Sequence, residues 1–234
     1  MRLLLLSNSR NKGEEFLGYP ESEIKDFLGT KIKHALFIPF AAVDLPFDQY
    51  NALVEGRMNA MGYSVTGIHT VSDPLKALGE AQAIMIGGGN TWQLLSLLYK
   101  HEILDLIRER VLAGAPYIGW SAGSNVACPT IKTTNDMPII EPPSFNALGL
   151  VPFQLNAHYS DFVPEGHRAE TRDDRLREFT IANPGVTVVG LREGTLLRRE
   201  KDSLKLVGPE PARIFLDCGF RETEITADLS ALVR

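Results

Sequence analysis

Cysteine is scarce: only Cys128 and Cys218 occur in 234 residues, with no paired spacing. That excludes a disulfide framework and a cysteine-based zinc set, and it suits a reducing cytoplasm. Positive charge is not in excess, since 24 Lys and Arg stand against 29 Asp and Glu for a net charge of -5. A balance of this sign gives no electrostatic pull toward nucleic acid or an anionic membrane, and neither is expected as a partner. Long apolar runs are missing as well. The longest early one, Leu3 to Leu6, is far too short for a membrane span or a signal-peptide core. There is no H-E-x-x-H, no Cys/His cluster and no carboxylate-rich motif of ligand spacing, so no metal is expected. The phosphate-binding patterns G-x-G-x-x-G and G-x-x-x-x-G-K-[ST] are also absent, and no cofactor is expected.

What is present is an ordinary globular composition, 44% hydrophobic, in short apolar runs separated by amphipathic stretches. Strands are read at Arg2–Ser7, His34–Ala42, Tyr63–His69, Ala81–Asn90 and Ala115–Ser121. Helices are read over Glu21–Leu28, Phe47–Met61 and Asp73–Glu80, with one long helix over Thr91–Leu112. Continuous apolar strands alternating with helices predict a doubly wound, mainly parallel α/β sheet flanked by helices on both faces. The functional groups are then expected at the carboxyl ends of the strands. Further on, the prolines between Met137 and Phe153 predict an irregular crossing, and Glu170–Ala182 reads as a helix with Leu176, Phe179 and Ile181 inward. Val186–Pro209 reads as a strand and then a C-terminal β-hairpin around Lys201-Asp202-Ser203, with another strand at Arg213–Leu216. These late strands are expected to extend the sheet. No repeat or linker-like run interrupts the chain, so residues 1–234 are read as a single domain.

Gly119-Trp120-Ser121-Ala122-Gly123 fits G-x-S-x-G between a strand and a helix. In that turn a serine hydroxyl is lifted above the sheet, and the next amide, that of Ala122, faces a substrate oxyanion. The plain alternative is a small-residue loop feeding a helix. Gly87-Gly88-Gly89-Asn90 follows the fourth strand. It reads as a phosphate cradle, as a second oxyanion donor through Gly88 or Gly89, or as a tight turn in which Asn90 caps the next helix.

A nucleophilic serine needs a base. His34 and His69 flank strands, His101 sits on a helix exterior and His167 lies in a polar loop, which leaves His158 in QLNAHYSDF as the best candidate. The orienting acid is either Glu193, at the end of an apolar strand, or Asp136, in the polar TTNDMP loop, which alternatively binds a substrate amine. The order Ser121, His158, Glu193 reverses the acid-before-histidine order of lipase-type α/β-hydrolases.

Five stretches, LLLLSNS, FIPFA, GGGNTWQLL, YIGWSAGSNVACPTIKTTNDMPI and PEGHRAETRDDRLRE, closely resemble the peptidase E family of α-aspartyl dipeptidases. The resemblance covers most of the chain and is densest from Gly87 to Arg177. It implies a serine peptidase acting on small dipeptides with an N-terminal aspartate, through Ser121, His158 and Glu193. An aspartate of the family that is also a candidate relay member matches Asp136, which is placed at the substrate end with Glu193 as the orienting acid. The family's ETR arginine matches Arg172, which is then the cation for the aspartyl side chain. Asn90 is placed at the substrate as well. Rival readings are a cyanophycinase-type hydrolase of β-aspartyl peptides and a non-catalytic small-anion-binding protein. A homodimer is one candidate assembly.

Overall fold

Apolar runs become strands and the amphipathic stretches between them become helices. The computed structural model describes residues 1–163, 165–166 and 168–233. Its first half runs β1 (Arg2–Leu6), α1 (Glu21–Leu28), β2 (His34–Ile38), α2 (Phe47–Ala60), β3 (Ser64–Gly67), α3 (Pro74–Glu80) and β4 (Ile84–Ile86). It continues with α4 (Thr91–Lys100), α5 (Leu104–Leu112), β5 (Tyr117–Trp120), α6 (Ala122–Asn125) and β6 (Gln154–Tyr159). The chain closes with α7 (Arg172–Ala182), β7 (Val188–Arg192), β8 (Leu196–Glu200), β9 (Ser203–Val207), β10 (Arg213–Leu216) and β11 (Gly219–Glu222).

The main sheet has the order β3-β2-β4-β5-β1-β8-β9. Its first five strands are parallel, and the β8-β9 hairpin is added antiparallel beside β1. This is the α/β sheet with a hairpin extension that the alternation predicts. β1 explains why four consecutive leucines are tolerated. Successive strand side chains face opposite ways, so Leu3 and Leu5 enter one helix-covered core and Leu4 and Leu6 the other.

Three expectations change. The strands at β7 and β10 do not extend the main sheet but build a second one, β11-β10-β7-β6. The cause is a sharp turn at Glu193-Gly194, with Gly194 at φ 77°, which sends the chain from β7 back along β1 as β8. β7 is left to pair with β6 on one side and β10 on the other. The long helix breaks in two. Glu102 takes a left-handed φ of 54°, and the Ile103 N–H donates back to the Leu98 carbonyl, closing α4 in a Schellman turn before α5 starts. In α7 Leu176 is buried while Ile181 faces outward, 57% exposed.

Leu155, Val189, Leu191 and Ile214 of the second sheet share one apolar core with Leu3, Leu5 and Ile86 of the first. That shared core brings the ends of β6 and β7 up to the carboxyl edge of the parallel strands. Among the described residues no helix is long and apolar enough to cross a membrane.

Candidate active site

Ser121 follows directly on β5 and precedes α6, at φ 51° and ψ -112°. A serine rarely adopts this backbone, and it persists because its surroundings hold it there. The Ser121 N–H donates to the Leu6 carbonyl at 3.1 Å, and the Ser121 carbonyl accepts from Ser124 and Asn125. Glycine is needed on both sides. A Cβ on Gly119 would lie 2.5 Å from the Gly123 carbonyl oxygen, and one on Gly123 would strike the Ile86 carbonyl group. The G-x-S-x-G spacing therefore lets α6 start hard against β4 and β5 with the serine at the apex.

His158 reaches the serine through a β-bulge. Ala157 pairs with Leu191 and Tyr159 with Arg192, leaving His158 as one extra residue on β6 at φ 53°. The bulge turns its imidazole outward while Tyr159 returns to the interior, over Gly190. His158 Nε2 lies 2.9 Å from Ser121 Oγ, and Nδ1 lies 2.6 Å from Glu193 Oε1. A carboxylate only accepts, so Nδ1 carries the proton and Nε2 is left to accept from the serine hydroxyl. Glu193 sits in the turn between β7 and β8, and the series Glu193–His158–Ser121 opens onto solvent.

An ion-pair network flanks this corner. The Arg192 and Arg213 guanidiniums lie 5.2 and 5.6 Å from the centre of the Tyr159 ring, whose hydroxyl donates to Asp173. Arg192 and Arg213 share Asp161 and Glu222. Burial alone raises the Asp161 and Glu222 carboxyls, but hydrogen bonds from Arg192 and the nearby arginine charges hold both below the ordinary carboxylate range.

Beside Ser121 is a cleft of about 860 Å³, lined in part by Arg10, Gly88, Gly89, Asn90, Asp136 and His158. Among the described residues, the N–H groups of Gly88, Gly89 and Ala122 have no hydrogen-bond acceptor. Gly88 packs against the serine, with 3.0 Å between its would-be Cβ and Ser121 Cβ. Its carbonyl accepts from the Tyr50 hydroxyl at 3.1 Å, and that hydroxyl accepts from Trp120 Nε1 at 2.8 Å. A trans peptide sets N–H opposite C=O, so the Gly89 N–H points away from Tyr50.

Asn90 caps α4, its Oδ1 accepting from the Gln93 N–H while Nδ2 donates to the Met137 carbonyl. Asp136 does not touch the imidazole. Its Oδ2 accepts from the Thr91 N–H at 2.7 Å, the Thr91 hydroxyl at 2.5 Å and the Thr134 hydroxyl at 3.0 Å. Its Oδ1 has no hydrogen bond to a described residue, and Asp136 is one of the residues lining the cleft. Arg172 is not among the residues lining the cleft. It opens α7, half-buried, where burial and the neighbouring Arg175 lower its pKa. Of the described residues that line the cleft, Arg10 is the only lysine or arginine.

His34 bonds Thr66, His69 bonds Asp48, and His101 stacks on Phe40, so none of the three joins Ser121. His167 lies outside the described residues. Burial pushes the Cys128 thiol up to about 12, which removes it as a nucleophile at neutral pH. Among the described residues no three His, Cys, Asp or Glu side chains converge as a metal site. Tyr50, Ser7 and Asn8 carry the site's framework without a sequence signal of their own, save that Ser7 and Asn8 stand in the LLLLSNS stretch.

Comparison with known proteins places this geometry in context. The model of Peptidase family S51 matches residues 3–207. The chain is 51% identical over 214 residues to a Peptidase E of Nostoc sp., covering 92% of this chain and 88% of that one. It is 49% identical to a Peptidase E of Shewanella denitrificans, covering 91% and 90%. Among solved structures it resembles a putative peptidase E protein from Listeria monocytogenes EGD-e, at TM-score 0.67 and 21% identity, over 89% of this chain and 98% of that one. It also resembles a peptidase from an acI-B1 actinobacterium, at TM-score 0.71 and 17% identity, over 97% and 96%. At such identities these two structures speak for the fold.

Proposed function

The chain belongs to peptidase family S51, and from that premise we propose that it hydrolyses dipeptides with an N-terminal α-linked aspartate through an aspartyl-enzyme. Its enzymatic class, a serine-type dipeptidase, follows from the family and from its Peptidase E relatives. The observation that carries the reading is the hydrogen-bond series Glu193 Oε1, His158, Ser121 Oγ at 2.6 and 2.9 Å.

In this reading His158 takes the Ser121 proton as Oγ attacks the peptide carbonyl. Glu193 keeps Nδ1 protonated and stabilises the imidazolium that forms. The oxyanion is received by the Ala122 N–H and by Gly88 or Gly89. Gly89 is favoured, because Tyr50 fixes the carbonyl of its peptide. A donor placed in this way is worth about a hundredfold or more in rate. His158 then protonates the departing amine, and water releases aspartate. Asp136 is assigned to the substrate's α-ammonium through its free Oδ1, with Asn90 holding the Met137 loop beside it. The aspartyl carboxylate needs a cation. Arg172 is the family's residue, and Arg10 is the one already at the cleft. The unpaired Cys128 and Cys218 suit a cytoplasmic enzyme.

The test is hydrolysis of Asp-Leu, its β-linked isomer and Leu-Leu. Cleavage of Asp-Leu alone is expected. Cleavage of the β-isomer alone transfers the enzyme to cyanophycinase-type chemistry. No cleavage, with tight binding of an anion, leaves a binding protein.

A further inference from the structure

The tip of β1, Leu6-Ser7-Asn8, bonds to the backbone around each member of the triad. The Leu6 carbonyl accepts from the Ser121 N–H at 3.1 Å and from the Ser124 hydroxyl at 2.7 Å. Ser7 is fully buried, and its Oγ accepts from the His158 N–H at 2.9 Å while donating to the Leu191 carbonyl at 2.7 Å. The Ser7 N–H donates to the Thr195 carbonyl at 3.0 Å, so Ser7 holds the Glu193 turn two residues before and two residues after the glutamate. Asn8, 2% exposed, accepts the Gly194 N–H at 2.9 Å and donates through Nδ2 to the Arg10 carbonyl and Asn11 Oδ1.

We propose that Ser7 and Asn8 are positioning residues, which lock the His158 bulge and the Glu193 turn to the strand that also anchors Ser121. The inference rests on Ser121, His158 and Glu193 acting together as proposed above. His158 is the extra residue of a bulge, and its N–H donates to the Ser7 hydroxyl. The β6-β7 ladder pairs Ala157 and Tyr159 on either side but gives His158 itself no partner, so that bond is its own tie to the framework. Glu193 sits on a two-sided turn whose next amide is held by the Asn8 side chain. One hydroxyl and one amide thus couple three segments that are far apart in sequence. A misplacement of about 1 Å at reacting groups costs on the order of a hundredfold.

Ser7→Ala, Asn8→Ala, His158→Ala and the two double variants with His158→Ala are assayed on Asp-Leu and L-aspartyl p-nitroanilide, with Ser121→Ala alongside. Ser7→Ala is expected to lower kcat by about 10- to 100-fold and Asn8→Ala by about tenfold. For Ser7→Ala KM should change less than about threefold, because the Ser7 hydroxyl bonds none of the substrate-side residues Arg10, Asn90 and Asp136. In the His158→Ala background neither substitution should lower the residual rate further, since both act through the imidazole. Thermal unfolding certifies each variant as folded. If Ser7→Ala does not fold, Asn8→Ala carries the same test, because it removes only the hold on Gly194 and the neighbouring loop. A folded Ser7→Ala or Asn8→Ala with unchanged kcat overturns the proposal. So does an equal loss with and without His158, which would make the role merely structural. Full activity in Ser121→Ala defeats the triad reading itself and is thereby told apart from failure of the positioning role.

Discussion

Replacing Gly119 by alanine tests whether close packing beneath Ser121 creates the elbow. Gly119 is not among the residues with positive φ, so alanine brings a steric change without a backbone-conformation penalty. Its Cβ would stand 2.5 Å from the Gly123 oxygen, 2.6 Å from the Gly123 carbon and 2.9 Å from the Ser124 nitrogen. All three are backbone atoms in the turn that follows the nucleophile, so no side chain can swing aside. Ordinary contact requires the start of α6 to retreat by about 1 Å, against the Ser124 hydroxyl bonds that tie it to Leu6 and Gly119. Overpacking of this kind costs about 1–3 kcal/mol of stability. The same shift at Ser121 Oγ costs about a hundredfold in kcat. The assay pairs Asp-Leu kinetics with a thermal melt, and Gly56→Ala is the control. Gly56 has nothing within 4 Å of its would-be Cβ and lies in α2, where alanine should be neutral or stabilise by about 0.4–1 kcal/mol. A Gly119→Ala enzyme that melts and turns over like the parent would refute the argument from packing.

Three other outcomes follow from the same geometry. Glu193→Gln keeps the shape but exchanges an acceptor for an amide that can present N–H to Nδ1, and kcat on Asp-Leu should fall by about 100- to 10,000-fold with little change in KM. Asp136→Asn retains an oxygen for the Thr91 N–H and loses the charge. Steady-state kinetics should show KM raised about tenfold or more with kcat nearly unchanged, whereas a drop confined to kcat would return Asp136 to the charge relay. The depressed Asp161 and Glu222 carboxyls predict stability that is present above their unfolded values of about 4 and lost as pH falls through the lower folded values. Arg192→Met should therefore melt below the parent at pH 6, with a gap that narrows as pH falls through the lowered folded values, and a gap that stays constant with pH would contradict this.

The parallel sheet is legible because strands buried on both faces write themselves as unbroken apolar runs, as at Leu3–Leu6. The elbow is legible because two glycines and an alanine are what a tight strand-to-helix crossing tolerates. The break after α4 is hidden, since the residue that takes the left-handed conformation is Glu102 rather than glycine. The second sheet is hidden too: β7 is apolar enough for either sheet, and only its pairing with β6 and the turn at Gly194 decide. Within the site, Glu193 and Asp136 are equal candidates by residue type. They separate only when the His158 bulge turns Nδ1 toward one and α4 holds Oδ2 of the other. Tyr50 supports Gly88 from 38 residues away, and Ser7 supports His158 across 151, which are distances over which local pattern carries nothing.

The most direct test of the central claim is the turnover of Asp-Leu by Ser121→Ala, measured on protein whose melting temperature matches the parent. Loss of about ten-thousandfold or more in kcat, together with an aspartyl adduct on Ser121 when the parent enzyme is acid-quenched during turnover of L-aspartyl p-nitroanilide, is the predicted result. A folded Ser121→Ala enzyme that still cleaves Asp-Leu at close to the parental rate would contradict it.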